Sequence, residues 1–257
     1  MSMDRTEFEK QVDALYAARH LDAFGDMAMR MNVPFFWSKG RGAEAEVLQN
    51  GTMCMVDTGT RKIGITCDHV YSEYLADRER HTDLEAQFGG NTIAPEQRLI
   101  ARDEALDLAT FDVPEVFLAG SFGYYYHTPP VWPARPVAPD DVVCYGGYPQ
   151  SLRSTAGGQV HTGFQWFATQ VNEVKESMIV LEPGVGKVYW PGHRGEKIND
   201  TFGGQSGGPV YRVIDAKKPD EPVDRLELVG FIYNKLGNDL VLAKHSRHVQ
   251  PDGTLVP

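Results

Sequence analysis

The sequence has few cysteines and no pattern that would pair them or bind a metal. Three cysteines, Cys54, Cys67 and Cys144, occur among 257 residues, and no CxxC pair is present. An odd number of cysteines beside strand-like residues predicts buried, reduced thiols instead of a disulfide framework. The zinc-binding HExxH spacing is missing as well. We therefore expect no metal and no cofactor, and we interpret His161 and His193 as solvated loop residues.

The chain also lacks long apolar runs and an excess of positive charge. No run approaches the roughly 18 apolar residues that can cross a bilayer. The formal net charge is −10 and the isoelectric point is near 5.3. This balance argues against nucleic acid and against anionic membranes as partners. The first ten residues are charged and lack the apolar core of a secretory signal, which predicts a cytoplasmic location. The oligomeric state does not follow from the sequence.

The pattern that is present indicates an all-β protein. Residues 5–30 carry apolar side chains at helical spacing, which predicts amphipathic helices that pack against the main body. From about residue 42, short alternating runs separated by Gly, Asp and Pro predict strands. A passage rich in proline and aromatic residues, 124–139, predicts an ordered connection between two halves. Many short strands, with helix mainly at the ends, indicate a sandwich or a pair of barrels.

One stretch near the C-terminal end, 201–210, has a composition suited to chemistry. Its sequence TFGGQSGGPV places four glycines around a single serine, Ser206. Glycines allow a sharp turn, and a serine on such a turn exposes its hydroxyl beside amide N–H groups. A nucleophile with an oxyanion hole needs this arrangement. Taken alone, the stretch equally fits a glycine-rich surface turn.

A serine nucleophile needs a base and an orienting carboxylate, and the chain offers both. His69 ends the predicted strand 63–69. Asp107 lies between two leucines, where burying an unpaired charge is costly. Separately, His69 also fits a core histidine and Asp107 a surface charge on an edge strand. The presence of both residues together with Ser206 is harder to explain by these structural roles.

The three motifs resemble those of the chymotrypsin/trypsin-like serine peptidases. Residues 66–70, TCDHV, are similar to the histidine motif of that family, 106–109, LDLA, to its aspartate motif, and 204–209, GQSGGP, to its serine motif. The order His, Asp, Ser is the same, with separations of 38 and 99 residues. Softer matches to bacterial members occur at 142–149 and 228–232. The resemblance covers roughly residues 45–250.

The resemblance implies a fold of two six-stranded antiparallel β-barrels. We expect an N-terminal helical extension over 1–41, a first barrel over 42–125, and a second barrel with the C-terminal segment over 126–257. A short C-terminal helix is also expected. The implied active site lies in the cleft between the barrels.

The implied activity is that of a serine endopeptidase, a hydrolase that acts on a protein or peptide through a covalent acyl-enzyme. Ser206 would be the nucleophile, His69 the base and Asp107 the residue that orients it. The N–H groups of Gly204 and Ser206 would form the oxyanion hole. Two alternatives remain open at this point. One is a catalytically silent or partner-gated binding or regulatory module with a protease fold, and the other is an esterase with the same triad.

The sequence departs from the family pattern beside two of the motif residues. Gln205 stands where digestive members have the aspartate that pairs with a freshly cleaved N-terminus. We therefore expect something other than cleavage to set the conformation of this loop. Asp68 precedes the histidine where a small residue is usual, and we expect it to face solvent.

The resemblance also implies a substrate pocket, formed by Asp200, Thr201, Tyr233 and Lys235. Asp200 aligns with the position where an aspartate selects basic side chains, and Lys235 could neutralise it. A simple polar turn explains Asp200 equally well. We expect only a weak preference for Arg or Lys.

Overall fold

Strands dominate the part of the chain that the structure, a computed structural model, describes. It describes residues 20–40, 45–115, 118, 123–156, 159–182, 189–190, 193–194, 203–214, 225–236 and 240–257. The last part of the predicted helical region 5–30 forms helix α1 (His20–Arg30), and its residues up to 19 lie outside the described residues. Helix α2 (Asp68–Arg80) lies between two strands. No helix in these ranges is long and apolar enough to span a membrane.

The first half of the chain forms a curled sheet of seven antiparallel strands. They are β1 (Asn32–Lys39), β2 (Glu46–Asp57), β3 (Lys62–Thr66), β4 (Glu85–Phe88), β5 (Asn91–Ile93), β6 (Leu99–Asp103) and β7 (Leu108–Asp112). Their order is β5-β4-β1-β2-β3-β7-β6, and within the described residues the edges β5 and β6 do not pair. The sheet therefore differs from the closed six-stranded barrel that we expected. Closure depends on pairing between distant edges, which local sequence patterns do not specify.

Strand β1 lies inside this sheet, between β4 and β2. Our division of the sequence placed its residues in the N-terminal extension. The run of Phe35, Phe36 and Trp37 has no alternation, because all three side chains are buried. The domain boundaries themselves stay a prediction.

The second half of the chain forms a closed six-stranded barrel, as predicted for that half. Its strands are β8 (Val142–Gly147), β11 (Gln165–Val174), β12 (Ile179–Glu182), β15 (Pro209–Ile214), β16 (Arg225–Leu236) and β17 (Leu240–His245). Around the barrel the order is β11-β12-β17-β16-β15-β8. Two hairpins stand apart from it, β9 (Arg153–Ala156) with β10 (Gln159–Thr162) and β13 (Tyr189–Trp190) with β14 (His193–Arg194).

The short C-terminal helix that we expected is a single 3₁₀ turn. This turn spans Ser246–His248, and Val249 then forms an antiparallel bridge with Leu255. Gly253 has a φ of 89°, so the chain reverses there. This reversal leaves too few residues for a helical turn to continue.

A shared core joins helix α1, the sheet and the barrel. One cluster of buried side chains contains Phe24 of α1, Ile65 of β3 and Leu228 of β16. Burying each such side chain contributes about 2 kcal/mol, so the two β units are packed together and not merely connected. The three cysteines are buried and free, which confirms the prediction of reduced thiols. The connection 124–139 is anchored by Trp132, whose indole N–H donates to the Val249 carbonyl at 3.0 Å.

Candidate active site

His69 is positioned by the junction of β3 and α2. The strand ends at Thr66 and the helix begins at Asp68, so His69 lies in the first helical turn. Amides in that turn have no partner within the helix. The backbone N–H of His69 donates instead to Oδ1 of Asp107 at 2.9 Å. The carboxylate of Asp107 thus stabilises the start of the helix that carries the imidazole.

Asp107 ends the turn that precedes β7. Its φ is 53°, in the left-handed region that aspartate adopts more readily than most residues. Its Oδ2 lies 2.8 Å and its Oδ1 3.1 Å from Nδ1 of His69. With a proton on Nδ1 that donates to this carboxylate, Nε2 is the nitrogen left to accept a proton.

The surroundings of His69 favour its protonated form. Burial lowers its pKa, but the hydrogen bond to Asp107 and the charges of Asp107, Glu73 and Asp68 raise it, and the net pKa lies above the ordinary 6.5. The side chain remains 39% exposed, so it is in contact with solvent. The imidazole of His69 therefore loses its proton at a higher pH than the imidazole of free histidine does.

Asp68 is buried, and our expectation that it faces solvent was wrong. It is 2% exposed, and Nε and Nη2 of Arg102 contact its two carboxylate oxygens at 2.7 and 2.9 Å. The hydroxyl of Ser72 adds a third contact at 3.3 Å. A buried carboxylate needs such partners. Arg102 lies 34 residues away on β6, so no local pattern could reveal the pair.

The loop that carries Ser206 is held by both β units. On the sheet side, the N–H of Thr52 donates to the carbonyl of Ser206 and its hydroxyl donates to the carbonyl of Gly204, each at 2.9 Å. On the barrel side, the N–H of Gly207 donates to the carbonyl of Ile232 on β16 at 2.8 Å. The position of Ser206 thus depends on the packing of the sheet against the barrel.

Gln205 ties the same loop to the barrel through an uncharged contact. The residue is 1% exposed, and its Nε2 donates to Oε1 of Gln165 on β11 at 2.9 Å. Sequence analysis identified Gln205 as unusual but could not identify its partner. The partner lies on a strand 40 residues earlier.

Two glycines of the loop are required by its backbone shape. Gly204 has a φ of 91° and Gly207 a φ of 83°. A Cβ at Gly204 would lie 2.5 Å from the carbonyl oxygen of Tyr148, and one at Gly207 would lie 2.2 Å from that of Thr52. Among the described residues, the amides of Gly204 and Ser206 form no hydrogen bond. No described residue therefore occupies either N–H group.

His69, Asp107 and Ser206 line one cleft of about 840 Å³, although each comes from a different part of the chain. The sheet side of the cleft carries the exposed carboxylates of Glu73 and Glu104. The barrel side is formed by β16 and β17. The cleft is thus acidic on one wall, while the other carries lysines.

Two of the four predicted substrate-binding residues, Tyr233 and Lys235, line this cleft. The other two, Asp200 and Thr201, lie outside the described residues. Sequence analysis missed Lys244, which lines the cleft and is only 7% exposed. A lysine within the apolar run 240–244, LVLAK, was the signal that could have identified it.

One group of potential metal ligands overlaps the site. Ligand atoms of Cys67, His69 and Asp107 all lie within 4.8 Å of one another. Burial raises the pKa of the Cys67 thiol well above its usual value, and the charge of Asp107 raises it further. Its Sγ lies 3.1 Å from the carbonyl oxygen of Ile232. The thiol and the His–Asp pair thus already have hydrogen-bond partners within the protein.

Comparisons with known proteins do not indicate the function of this chain. No protein-family model matches the chain, and no curated protein matches its sequence. The function must therefore be inferred from the residues that the fold brings together. Those are a histidine hydrogen-bonded to an aspartate, and a serine beside two amides that have no partner among the described residues.

Proposed function

We propose that this protein is a chymotrypsin/trypsin-like serine endopeptidase with Ser206 as nucleophile, His69 as base and Asp107 as the orienting carboxylate. The observation that carries the proposal is the 2.8 Å contact between His69 Nδ1 and Asp107 in a cleft that Ser206 also lines. A closed barrel packed against a curled sheet is compatible with the double barrel of that family. The substrate class is a protein or peptide.

The reaction follows from the hydrogen-bonding roles of these groups. Oγ of Ser206 attacks the carbonyl carbon while Nε2 of His69 takes the hydroxyl proton, and Asp107 stabilises the imidazolium. The C–N bond then breaks, the leaving amine receives that proton, and an acyl ester on Ser206 remains. Water attacks the ester with His69 again as base, which releases the acid and restores the serine.

The N–H groups of Gly204 and Ser206 stabilise the negative charge on the carbonyl oxygen. Neither has a partner among the described residues. The turn that presents them is held by Thr52 and Gln205 before any substrate binds. Each such donor contributes about 3 kcal/mol to stabilisation of the transition state.

Covalent labelling with a fluorophosphonate tests the assignment of the nucleophile. We expect the wild type to be labelled at about pH 8 to 9, where His69 is mostly neutral, and Ser206→Ala to lose all labelling. Ser72→Ala is the matched control, because it removes another serine that lines the cleft and should leave labelling intact. Labelling that persists in Ser206→Ala would refute the assignment. An unlabelled wild type would favour the silent or partner-gated module.

A further inference from the structure

Lys244 is a nearly buried lysine in the wall of the candidate active site. It is 7% exposed and lies on β17. Its Nζ is 4.5 Å from the ring centroid of Tyr233, which lines the same cleft. No described carboxylate forms an ion pair with this ammonium group. A cation–π contact does not neutralise the charge of this ammonium group, so an anionic group that enters the cleft is attracted to it.

Lys244 is connected to the serine loop through one residue of β16. The carbonyl of Ile232 accepts the N–H of Gly207, the residue after Ser206. In the β16–β17 pairing, Ile232 lies opposite Ala243, the neighbour of Lys244. A peptide whose carbonyl is attacked by Ser206 would therefore place its adjacent side chain near this strand pair.

Among the described residues, the carboxylates of the cleft do not pair with Lys244. Asp68 is paired with Arg102, and Asp107 with His69. Glu73 and Glu104 are exposed and belong to the sheet side. The barrel side carries Lys235 and Lys244. An incoming side chain directed to the barrel side meets positive charge.

We infer that Lys244 determines specificity by binding the carboxylate of a Glu or Asp side chain at P1, the residue whose carbonyl Ser206 attacks. The inference rests on the proposed function and narrows its substrate class. The acidic side chain supplies the anionic partner that the ammonium group lacks among the described residues. This preference is opposite to the weak preference for Arg or Lys that the alignment of Asp200 suggested.

Competition against fluorophosphonate labelling tests this inference separately from the proposed function. Peptide aldehydes that differ only at P1, carrying Glu, Gln or Lys, add reversibly to Ser206 and protect it from the label. We expect the Glu aldehyde to protect the wild type at a concentration about tenfold lower than the Gln aldehyde, since hydrogen bonds to charged partners are worth at least that factor. The Lys aldehyde should protect least.

Two variants of Lys244 sharpen the test. Lys244→Met keeps the length of the side chain, and replacing a buried charge with an apolar group is often neutral or stabilising. We expect it to lose the discrimination between the Glu aldehyde and the Gln aldehyde. Lys244→Glu should reverse the order and favour the Lys aldehyde. Lys62→Met is the control, because Lys62 also covers a tyrosine ring, Tyr126, but does not line the cleft.

Each outcome decides the inference. A wild type that is labelled but best protected by the Gln or Lys aldehyde would overturn the inference and leave the proposed function intact. The same holds if Lys244→Met keeps the wild-type order of aldehydes. A wild type that is not labelled at all would overturn both.

Discussion

At the scale of single residues, Asp107 accepts both the backbone N–H and the ring N–H of His69. The imidazole therefore cannot rotate without loss of its ring contact to Asp107. Two further carboxylates act on it through space, the exposed Glu73 and the buried Asp68. The second is partly offset, because Arg102 binds it directly. Substitution of Glu73 is thus the simplest way to change the pKa of His69.

We expect Glu73→Gln to shift the acid limb of the labelling profile to lower pH. Labelling needs a neutral imidazole, so its rate rises as pH passes upward through the pKa of His69, at a midpoint above 6.5. Removing one of the negative charges that raise this pKa lowers the midpoint and leaves the alkaline plateau unchanged. The measurement is the fluorophosphonate labelling rate between about pH 5 and 9.

Glu79→Gln provides the control for this shift. Glu79 is an exposed carboxylate on the same helix, but it does not line the cleft and is not among the charges that raise the pKa of His69. Its profile should match that of the wild type. An unchanged or higher midpoint in Glu73→Gln would contradict the electrostatic account.

At the scale of elements, strand β2 holds the serine loop in place. The hydroxyl of Thr52 donates to the Gly204 carbonyl and accepts the N–H of Tyr148, each at 2.9 Å. Asn50, two residues earlier, donates to the Tyr148 carbonyl at 2.7 Å. One strand of the sheet thus orders the loop and the segment that follows β8. Thr52 is a positioning residue, because it acts through the loop.

We expect Thr52→Val to slow fluorophosphonate labelling about tenfold or more, because the amides beside Ser206 lose their fixed positions. The substitution preserves shape but leaves a partly buried carbonyl of Gly204 and a buried N–H of Tyr148 unpaired, which costs up to about 1–3 kcal/mol for each group. Urea unfolding and the labelling rate are measured together.

The control for Thr52 is another fully buried threonine of the same sheet. The hydroxyl of Thr110 donates to the carbonyl of Gly253 at 2.6 Å, away from the cleft. Thr110→Val should lose a comparable amount of stability and keep the wild-type labelling rate. If the two variants label equally fast, the positioning role of Thr52 is wrong.

At the scale of the whole molecule, His127 lies where the sheet meets the barrel. The backbone N–H of His127 donates to the Met55 carbonyl of β2 at 2.8 Å. Its ring makes an edge contact with the ring of Tyr211 on β15, with 5.4 Å between the ring centroids. It is 7% exposed, and its Nε2 has no partner among the described residues. Burial lowers the pKa of His127 to about 4, although the charge of Glu227 opposes this. Protonation of this ring would thus weaken the packing of the two units.

The pH dependence of the free energy of unfolding should reveal the titration of His127. The folded pKa, about 4, lies below the ordinary 6.5, so the unfolded chain takes up the proton first. The contribution of His127 is complete above pH 6.5 and is lost as pH falls toward 4, by about 3 kcal/mol. His127→Phe keeps the aromatic contact and cannot titrate, so its free energy of unfolding should fall less over that range. Urea unfolding at several pH values is the measurement.

His161→Phe is the comparison for His127. His161 is exposed on β10, so its replacement should leave the pH dependence of unfolding unchanged. Equal slopes for the wild type and His127→Phe would contradict the assignment of the acid sensitivity to His127.

Local pattern was sufficient for much of the secondary structure. The strand predicted over 63–69 forms β3 as far as Thr66, although its last residue, His69, lies in α2 instead. Such runs alternate or are bounded by turn residues, so they can be predicted without knowledge of the strands that pair with them. Strand β1 was missed because its side chains are buried on both faces, which removes the alternation of apolar and polar residues. The short β5 carries no pattern of its own and depends on β4.

By itself, the sequence determined the all-β class, the reduced cysteines and the three residues proposed for catalysis. Composition, alternation and short motifs depend only on neighbouring residues. Tertiary structure decided what depends on distant pairs. It buried Asp68 against Arg102, held the serine loop with Thr52, left the first sheet open within the described residues, and placed Lys244 in the cleft. Each involves partners far apart in the chain, whose proximity only folding creates.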